Sequence, residues 1–439
     1  MLKSRLCIAF FAFAVGCAPA QKPLTDYVNP MLGTATLWDS VDLGFKPTKR
    51  TWGAEVFPGS SLPNAMVQVS PVTKFHSGAG YQYEDSVIYG FTHTNKGHWN
   101  LCHIPLLPVT GTPTPGDYCS PFSHERESAA PGYYQVFLDR YGVDAQLSST
   151  LRCAFHKYTY PAGAAASLLA DLQRSNEHVR AWDIRKEGDN VFAGWQQTGE
   201  KMYFYAVANR PVTGIEPVVE GDREVRIVRF GEGDGALELR IGFSFVSEKN
   251  ARENLEAEML GKSFAEVRSE ATATWNDLLG RIRVEGGTER EKGLFYSSLY
   301  RSFLWPALRS DVNGEFTDVD GKVINPGFRY YTGPSYWDDY RNKLILLGML
   351  APDVAADVIS SDTDKGEKRG GFMPTFFHGD HASAFVAGTY LRGNRGFDVN
   401  RAYNLVLRNA TVQGPSRPWL GEYIAKGYIS EMDVENPVT

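Results

Sequence analysis

Between residues 24 and 248 apolar and polar positions alternate in short runs. The segments 65–69, 134–138, 156–160, 202–207 and 237–245 are rich in Val, Tyr, Phe and Leu, and Gly, Pro, Asn and Asp clusters separate them. A two-residue period turns one side of each segment toward a core, and many such segments without helical periods between them predict an antiparallel β-sandwich. The stretch 33–59 breaks the pattern. It reads as a long loop carrying Trp38 and Trp52, and long ordered loops in compact domains commonly serve binding.

Near residue 250 the period lengthens to that of a helix. Residues 252–279 carry a Ser263–Glu266 capping box inside them and Gly280 after them, which predicts two helices or one kinked at Gly261. A short strand is expected at 281–284. Thr288 and Glu291 form a second box that starts a helix over 292–304, with Leu294, Phe295, Leu299, Phe303 and Leu304 as its buried set and Pro306 as its stop. Helical spacing returns at 352–360, 381–391, 399–409 and 419–426. The pattern therefore predicts a β part at 21–250, a helical linker at 251–284 and a helical domain at 285–439.

One turn in the helical part combines three chemistries. Ser335 and Asp338 match a Ser-x-x-Asp cap, so a helix is expected to start at Ser335, with Trp337, Tyr340, Leu344, Ile345 and Leu347 at helical spacing. Trp337, Asp338 and Arg341 then share its mouth. A flat aromatic face, a carboxylate and a guanidinium fork together suit a polyol ligand, although a core Trp beside a first-turn Asp would read the same way. In His378-Gly379-Asp380-His381 a carboxylate lies between two imidazoles at a helix start. Asp380 there is either a general acid or base tuned by a histidine, or a helix cap.

Other clusters carry less. His93, His98 and His103 are spaced five and five, which fits no short zinc pattern, so a binding loop or packing is expected. The 310–321 segment has the Asp, Asn and Gly of a calcium loop without EF-hand spacing, and is read as a turn. Tyr, Phe and Trp number 22, 25 and 9, a load that suits sugar stacking and β cores alike. A net charge of −6 without a Lys/Arg cluster excludes nucleic acid as a partner on electrostatic grounds.

The first 20 residues read as an export signal. Lys3 and Arg5 precede an apolar run at 6–15 that is too short to span a bilayer. Cleavage after Ala20 would give a secreted or periplasmic protein, whereas the lipoprotein-like box at 14–17 would leave Cys17 as a lipid anchor. No later run is long enough for a transmembrane helix. Of the remaining cysteines, Cys102 and Cys119 are the pair expected to bridge if any disulfide forms, with Cys153 left over.

Several blocks occur in a recognisable order: Tyr27-Val28-Asn29-Pro30-Met31-Leu32-Gly33-Thr34, then 57–71 with Ser61-Leu62-Pro63-Asn64-Ala65-Met66, then Gly78-Ala79-Gly80-Tyr81, and Gly90-Phe91-Thr92-His93-Thr94. Trp337-Asp338-Asp339-Tyr340-Arg341, Gly370-Gly371-Phe372-Met373-Pro374 and the segment 390–398 follow. Together they resemble glycoside hydrolase family 92, calcium-dependent exo-acting α-mannosidases. The resemblance implies an N-terminal β-sandwich, a helical linker and an (α/α)6 catalytic barrel that is incomplete here. The implied partner is a mannose-containing oligosaccharide or glycoprotein glycan, and the implied cofactor is calcium, with most of its ligands expected past the chain end. Inversion would use an acid and a base roughly 6.5–9.5 Å apart.

By the same resemblance, Trp337 and Asp338 match the sugar-binding element, Arg341 and His381 lie beside it, and His93 belongs to a sandwich loop that looks toward the site. The family's acidic Glu has no counterpart at 374–382, where Asp380 is the substitute, and the base falls outside the chain. An incomplete barrel is also expected to leave apolar helix faces uncovered. A non-catalytic mannose-binding protein of the same fold is the alternative reading.

Overall fold

The computed structural model describes residues 22–36, 44, 54–94, 101–233, 235–375, 379–414 and 417–430. The expected export signal with Cys17, the loop tryptophans Trp38 and Trp52, and His98 and His378 lie outside the described residues.

Two antiparallel sheets form the first half of the chain. The seven-stranded sheet runs Ser60–Ser61, Gln68–Val72, Gly90–Thr92, Leu106–Val109, Ser167–Ala170, Arg223–Phe230, Val212–Glu220. The eight-stranded sheet runs Ala181–Gly188, Val191–Gln197, Lys201–Ala208, Leu237–Ser244, Cys153–Thr159, Val143–Ser149, Tyr133–Leu138, Glu127–Ala130. Alternation decides their faces. In Lys201–Ala208, Met202, Phe204, Ala206 and Ala208 are buried in the main core, while Tyr205 and Val207 point the other way.

That second face is covered as well. Helices α1 (Glu248–Glu258) and α2 (Phe264–Leu279) place Leu255, Met259, Phe264 and Val267 against Tyr133, Cys153 and Phe155, a satellite cluster beneath the sheet. Gly242 makes the close approach possible, because a Cβ there would lie 2.1 Å from the Ala251 carbonyl oxygen. The break between the two helices contains Gly261 at φ +96, where only glycine is unstrained. Both predicted capping boxes form, at Ser263–Glu266 and Thr288–Glu291.

The helical part continues with α3 (Glu289–Ser302), α4 (Tyr336–Asp339), α5 (Lys343–Leu350), α6 (Pro352–Lys368), α7 (His381–Leu391), α8 (Val399–Thr411) and α9 (Leu420–Lys426). Among the described residues these helices pack side by side without closing a barrel. Apolar side chains stand in water on the last two, with Tyr403 57%, Tyr423 53% and Ile424 59% exposed, as an open helical array requires.

Three expectations are corrected. Residues 281–284 form no strand. On α3 the expected Leu299, with Phe303 and Leu304 after it, is buried, but the face continues through Tyr296, Ser297 and Tyr300 while Leu294 and Phe295 are exposed, because Tyr300 packs at a tilt against Trp275, centroids 4.3 Å apart. Cys102, Cys119 and Cys153 are all free thiols, so the Cys102–Cys119 bridge does not form; Cys102 lies buried in the sandwich and Cys119 is partly exposed.

The two halves are locked together by the block around Asn64. Its backbone N–H donates to the Phe303 carbonyl (2.6 Å), its carbonyl accepts from Leu308 N–H (2.9 Å), and its side chain donates to the Pro306 carbonyl (2.8 Å). Asn64 sits at φ +52, which Asn tolerates better than other residues with a Cβ. Trp275 Nε1 donates to the Ser61 carbonyl at 2.7 Å, and Arg152 pairs with Glu258 at 2.6 Å and donates to the Ser310 carbonyl.

Candidate functional site

The Trp337 turn is shorter than its sequence suggests. α4 ends at Asp339, and a new helix starts at Lys343 with Asn342 as its cap. Ser335 makes no side-chain cap; instead Asp339 reaches back, its Oδ2 accepting from the Ser335 backbone N–H at 3.2 Å and from Lys343 Nζ at 3.1 Å. Capping thus passes to a buried acid that serves both the turn and the next helix. Trp337 is half-buried, whereas Asp338 and Arg341 are exposed at the protein surface.

Tyr336 anchors the turn from below. Its hydroxyl, fully buried, donates to Asp362 Oδ2 at 2.5 Å, and Lys365 Nζ reaches Asp362 Oδ1 at 2.8 Å and the Tyr331 carbonyl at 2.9 Å. Burial and then the Asp362 charge push the Tyr336 hydroxyl far above the usual phenol range, so it remains a donor. Asp362 and Lys365 are i and i+3 on α6, a spacing that was available as a signal and was missed.

The turn meets α7 through a ring stack. Tyr340 lies over His381 with centroids 4.1 Å apart and planes 8° apart, and the Arg341 guanidinium is 5.2 Å from the Tyr340 ring. The His381 imidazole is pushed below its ordinary value first by burial and then by the Arg341 charge. Beneath Arg341 a cavity of 240 Å³ opens against Leu344, Phe385 and Arg392.

Asp380 is an N-terminal neighbour of α7 whose side chain is 5% exposed and makes no cap to the helix backbone. It accepts from Ser383 Oγ at 2.5 Å and from Asn409 Nδ2 at 3.2 Å, and Arg417 Nη2 lies 3.7 Å away. Trp337, Asp338, Arg341, Asp380 and His381 therefore belong to one neighbourhood formed by α4, α7 and the Arg417 turn.

His93 belongs elsewhere. It is wholly buried between the sheets, where Nδ1 bonds the Ile104 carbonyl (2.9 Å) and Nε2 meets His156 Nε2 (3.0 Å), and its ring packs on Phe243 at 4.5 Å. His156 Nδ1 in turn meets the Tyr158 hydroxyl at 2.5 Å. A carbonyl can only accept, so this chain has one neutral arrangement: His93 donates to Ile104, His156 donates to His93, and Tyr158 donates to His156. The position expected to look toward the sugar site is spent in this structure on bonding inside the sandwich.

The calcium-like loop is a turn, as read. Asp318 Oδ1 accepts the backbone N–H groups of Asp320 and Lys322, and Asp311 is held by Ser244, Asn250 and Asn254. Among the described residues no three His, Cys, Asp or Glu side chains converge as metal ligands. Nor is any single helix there long and apolar enough to cross a membrane.

Residues 27–253 match the glycosyl hydrolase family 92 N-terminal domain, and residues 250–438 match the glycosyl hydrolase family 92 catalytic domain. The chain belongs to glycosyl hydrolase family 92. Among solved family members it is similar to the α-mannosidase BT3965 from Bacteroides thetaiotaomicron, at 26% identity and a TM-score of 0.82 over 92% of this chain and 58% of that one. The same enzyme has been solved in complex with mannoimidazole. The inverting mannosidase BT2199 from Bacteroides thetaiotaomicron, 23% identical with a TM-score of 0.82, shares the fold over 94% of this chain and 59% of that one. An uncharacterized secreted glycosidase from Arthroderma benhamiae is 24% identical over 93% of this chain and 56% of that protein. The family 92 chain described here thus spans under three-fifths of the length of these relatives.

Proposed function

We propose that this family 92 chain acts on α-mannosides as part of a glycoside hydrolase that releases mannose from non-reducing ends with inversion. The reading rests on the Trp337-Asp338-Arg341 turn, which presents an indole, a carboxylate and a guanidinium beside the Tyr340–His381 stack. Its resemblance to the α-mannosidase BT3965 over 92% of the chain supports mannose as the sugar. Asp338 would accept hydroxyl protons, Arg341 would donate, and Trp337 would take the apolar face of the ring.

Asp380 enters this proposal as the carboxylate at the start of α7, next to the His381 that stacks on Tyr340, and it would have to release Ser383 before donating a proton. Calcium dependence enters through family membership alone; the described residues offer it no cluster, and no step is assigned to the ion. Division of labour between a sandwich at 21–250, a linker at 251–284 and a catalytic part at 285–439, export to the periplasm, to the outer membrane through a lipid at Cys17 or, alternatively, to the outside, and action on N-glycans complete the reading. A mannose-binding role without catalysis is favoured by one observation, that both Asp380 oxygens are already engaged.

The test is NMR of an α-mannobiose incubated with the protein, first with calcium and then with chelator, following the anomer of released mannose. β-Mannose that disappears with chelator supports the hydrolase. Binding abolished by Asp338→Asn, with no release, supports the binding role; no binding at all refutes both.

A further inference from the structure

A cavity of 780 Å³ lies in the sandwich and shares no lining residue with the Trp337 turn. Its size falls within the roughly 300–1,000 Å³ of small-ligand sites. His76, Arg174, His178, Arg180, Trp182 and Asp222 contribute to its wall, and an adjoining cavity of 530 Å³ shares His76 and Arg174. We propose that this cleft is a second carbohydrate subsite, one that holds the neutral outer chain of an oligosaccharide. The idea builds on the glycan reading above.

The wall is built rigidly. Asp171, 1% exposed, pairs with Arg223 at 2.9 Å and Arg174 at 3.8 Å and accepts from the Tyr118 hydroxyl at 2.6 Å. Arg174 also lies 5.2 Å from the Phe75 ring and 5.3 Å from Tyr89. His76 is held at φ +61 by its N–H donating to Asn176 Oδ1 at 2.7 Å. A non-glycine residue fixed in that region persists because its surroundings over-determine it, a condition concentrated at binding sites.

Against this frame, Arg180, His178 and Asp222 make no side-chain hydrogen bond or ion pair with another described residue, although they line the same space. Charge decides the ligand class. Arg174 and Arg223 share the single carboxylate of Asp171, and Arg180 lines the cleft with Glu177 and Asp222, so three guanidiniums are balanced by three carboxylates. A wall without net charge gives phosphate or nucleic acid no electrostatic pull. The same set can accept from one sugar hydroxyl at Asp222, donate to the next from Arg180, and stack a ring on Trp182.

The experiment titrates mannotriose into the full chain by NMR saturation transfer and calorimetry, comparing wild type, Asp338→Asn, an Arg180→Gln/Asp222→Asn double variant and the combined triple. Arg180 and Asp222 are exposed, and circular dichroism checks that the double variant folds. Residual binding in Asp338→Asn that falls at least tenfold in the triple variant supports the cleft. If Asp338→Asn alone abolishes binding, or its residual binding stays within twofold in the triple variant, the cleft has no such role while the Trp337 reading stands. Absence of any mannotriose binding overturns both.

Discussion

Asp362→Ala is the substitution that tests how the Trp337 turn is held. Asp362 has no exposed surface, Lys365 keeps 15%, and the Tyr336 hydroxyl has Asp362 as its hydrogen-bond partner. Removing the carboxylate leaves a mostly buried ammonium and a buried hydroxyl. Breaking a buried pair by deleting one member costs about 3–5 kcal/mol, and an orphaned hydroxyl about 1–3 kcal/mol. These overlap, and Lys365 retains the Tyr331 carbonyl, so a loss of about 3 kcal/mol is expected. Asp362→Leu with Lys365→Met removes both charges and should cost less than the single change. Urea unfolding followed by tryptophan fluorescence gives the stabilities, and mannoside titration of the folded fraction reports whether Trp337 and Asp338 have moved. A single-variant loss under about 1 kcal/mol, or a double variant as unstable as the single, would refute the argument that this pair carries the turn.

Acid should weaken the sandwich. Burial lowers His93 to about 3 and His103 to about 4, and lowers His156 as well. The unfolded chain therefore binds protons below pH 6.5 that the folded chain refuses, and stability falls with pH by about 1.4 kcal/mol per unit for each histidine. Asp357, raised by burial to about 6, works in the opposite direction below that pH. Urea midpoints at pH 7.5 and 5.5 check the sign, and equal midpoints would contradict it. Asn64→Ala should cost about 2 kcal/mol, through the lost bond to Pro306 and the strain of φ +52, and Asn64→Asp should not restore it, since Pro306 offers only an acceptor. Thiol labelling should modify Cys119 in the folded protein and Cys102 and Cys153 after unfolding; a native count of no reactive thiols would restore the bridge.

Periodicity and caps carried most of the architecture. Strands at 133–138, 153–159, 201–208 and 237–244 lie where alternation places them, and the Ser263 and Thr288 boxes start helices because each bond is made within four residues. The Trp337-Asp338-Arg341 turn was legible for the same reason, as three residues of one short segment. What depended on distant partners was not. Periodicity placed Leu299, Phe303 and Leu304 in the core correctly but also Leu294 and Phe295, which are exposed, since the contact of Tyr300 with Trp275 from another helix turns that side outward. Ser335 lost its cap to Asp339, and His93 turned inward to a histidine 63 residues away. The Tyr340–His381 stack and the cleft between 76, 174–182 and 222 join segments whose separation along the chain says nothing of their distance in space. Local hydrogen bonding and burial periodicity are written into neighbouring residues, whereas the partners of buried polar groups are settled when sheets and helices close over them.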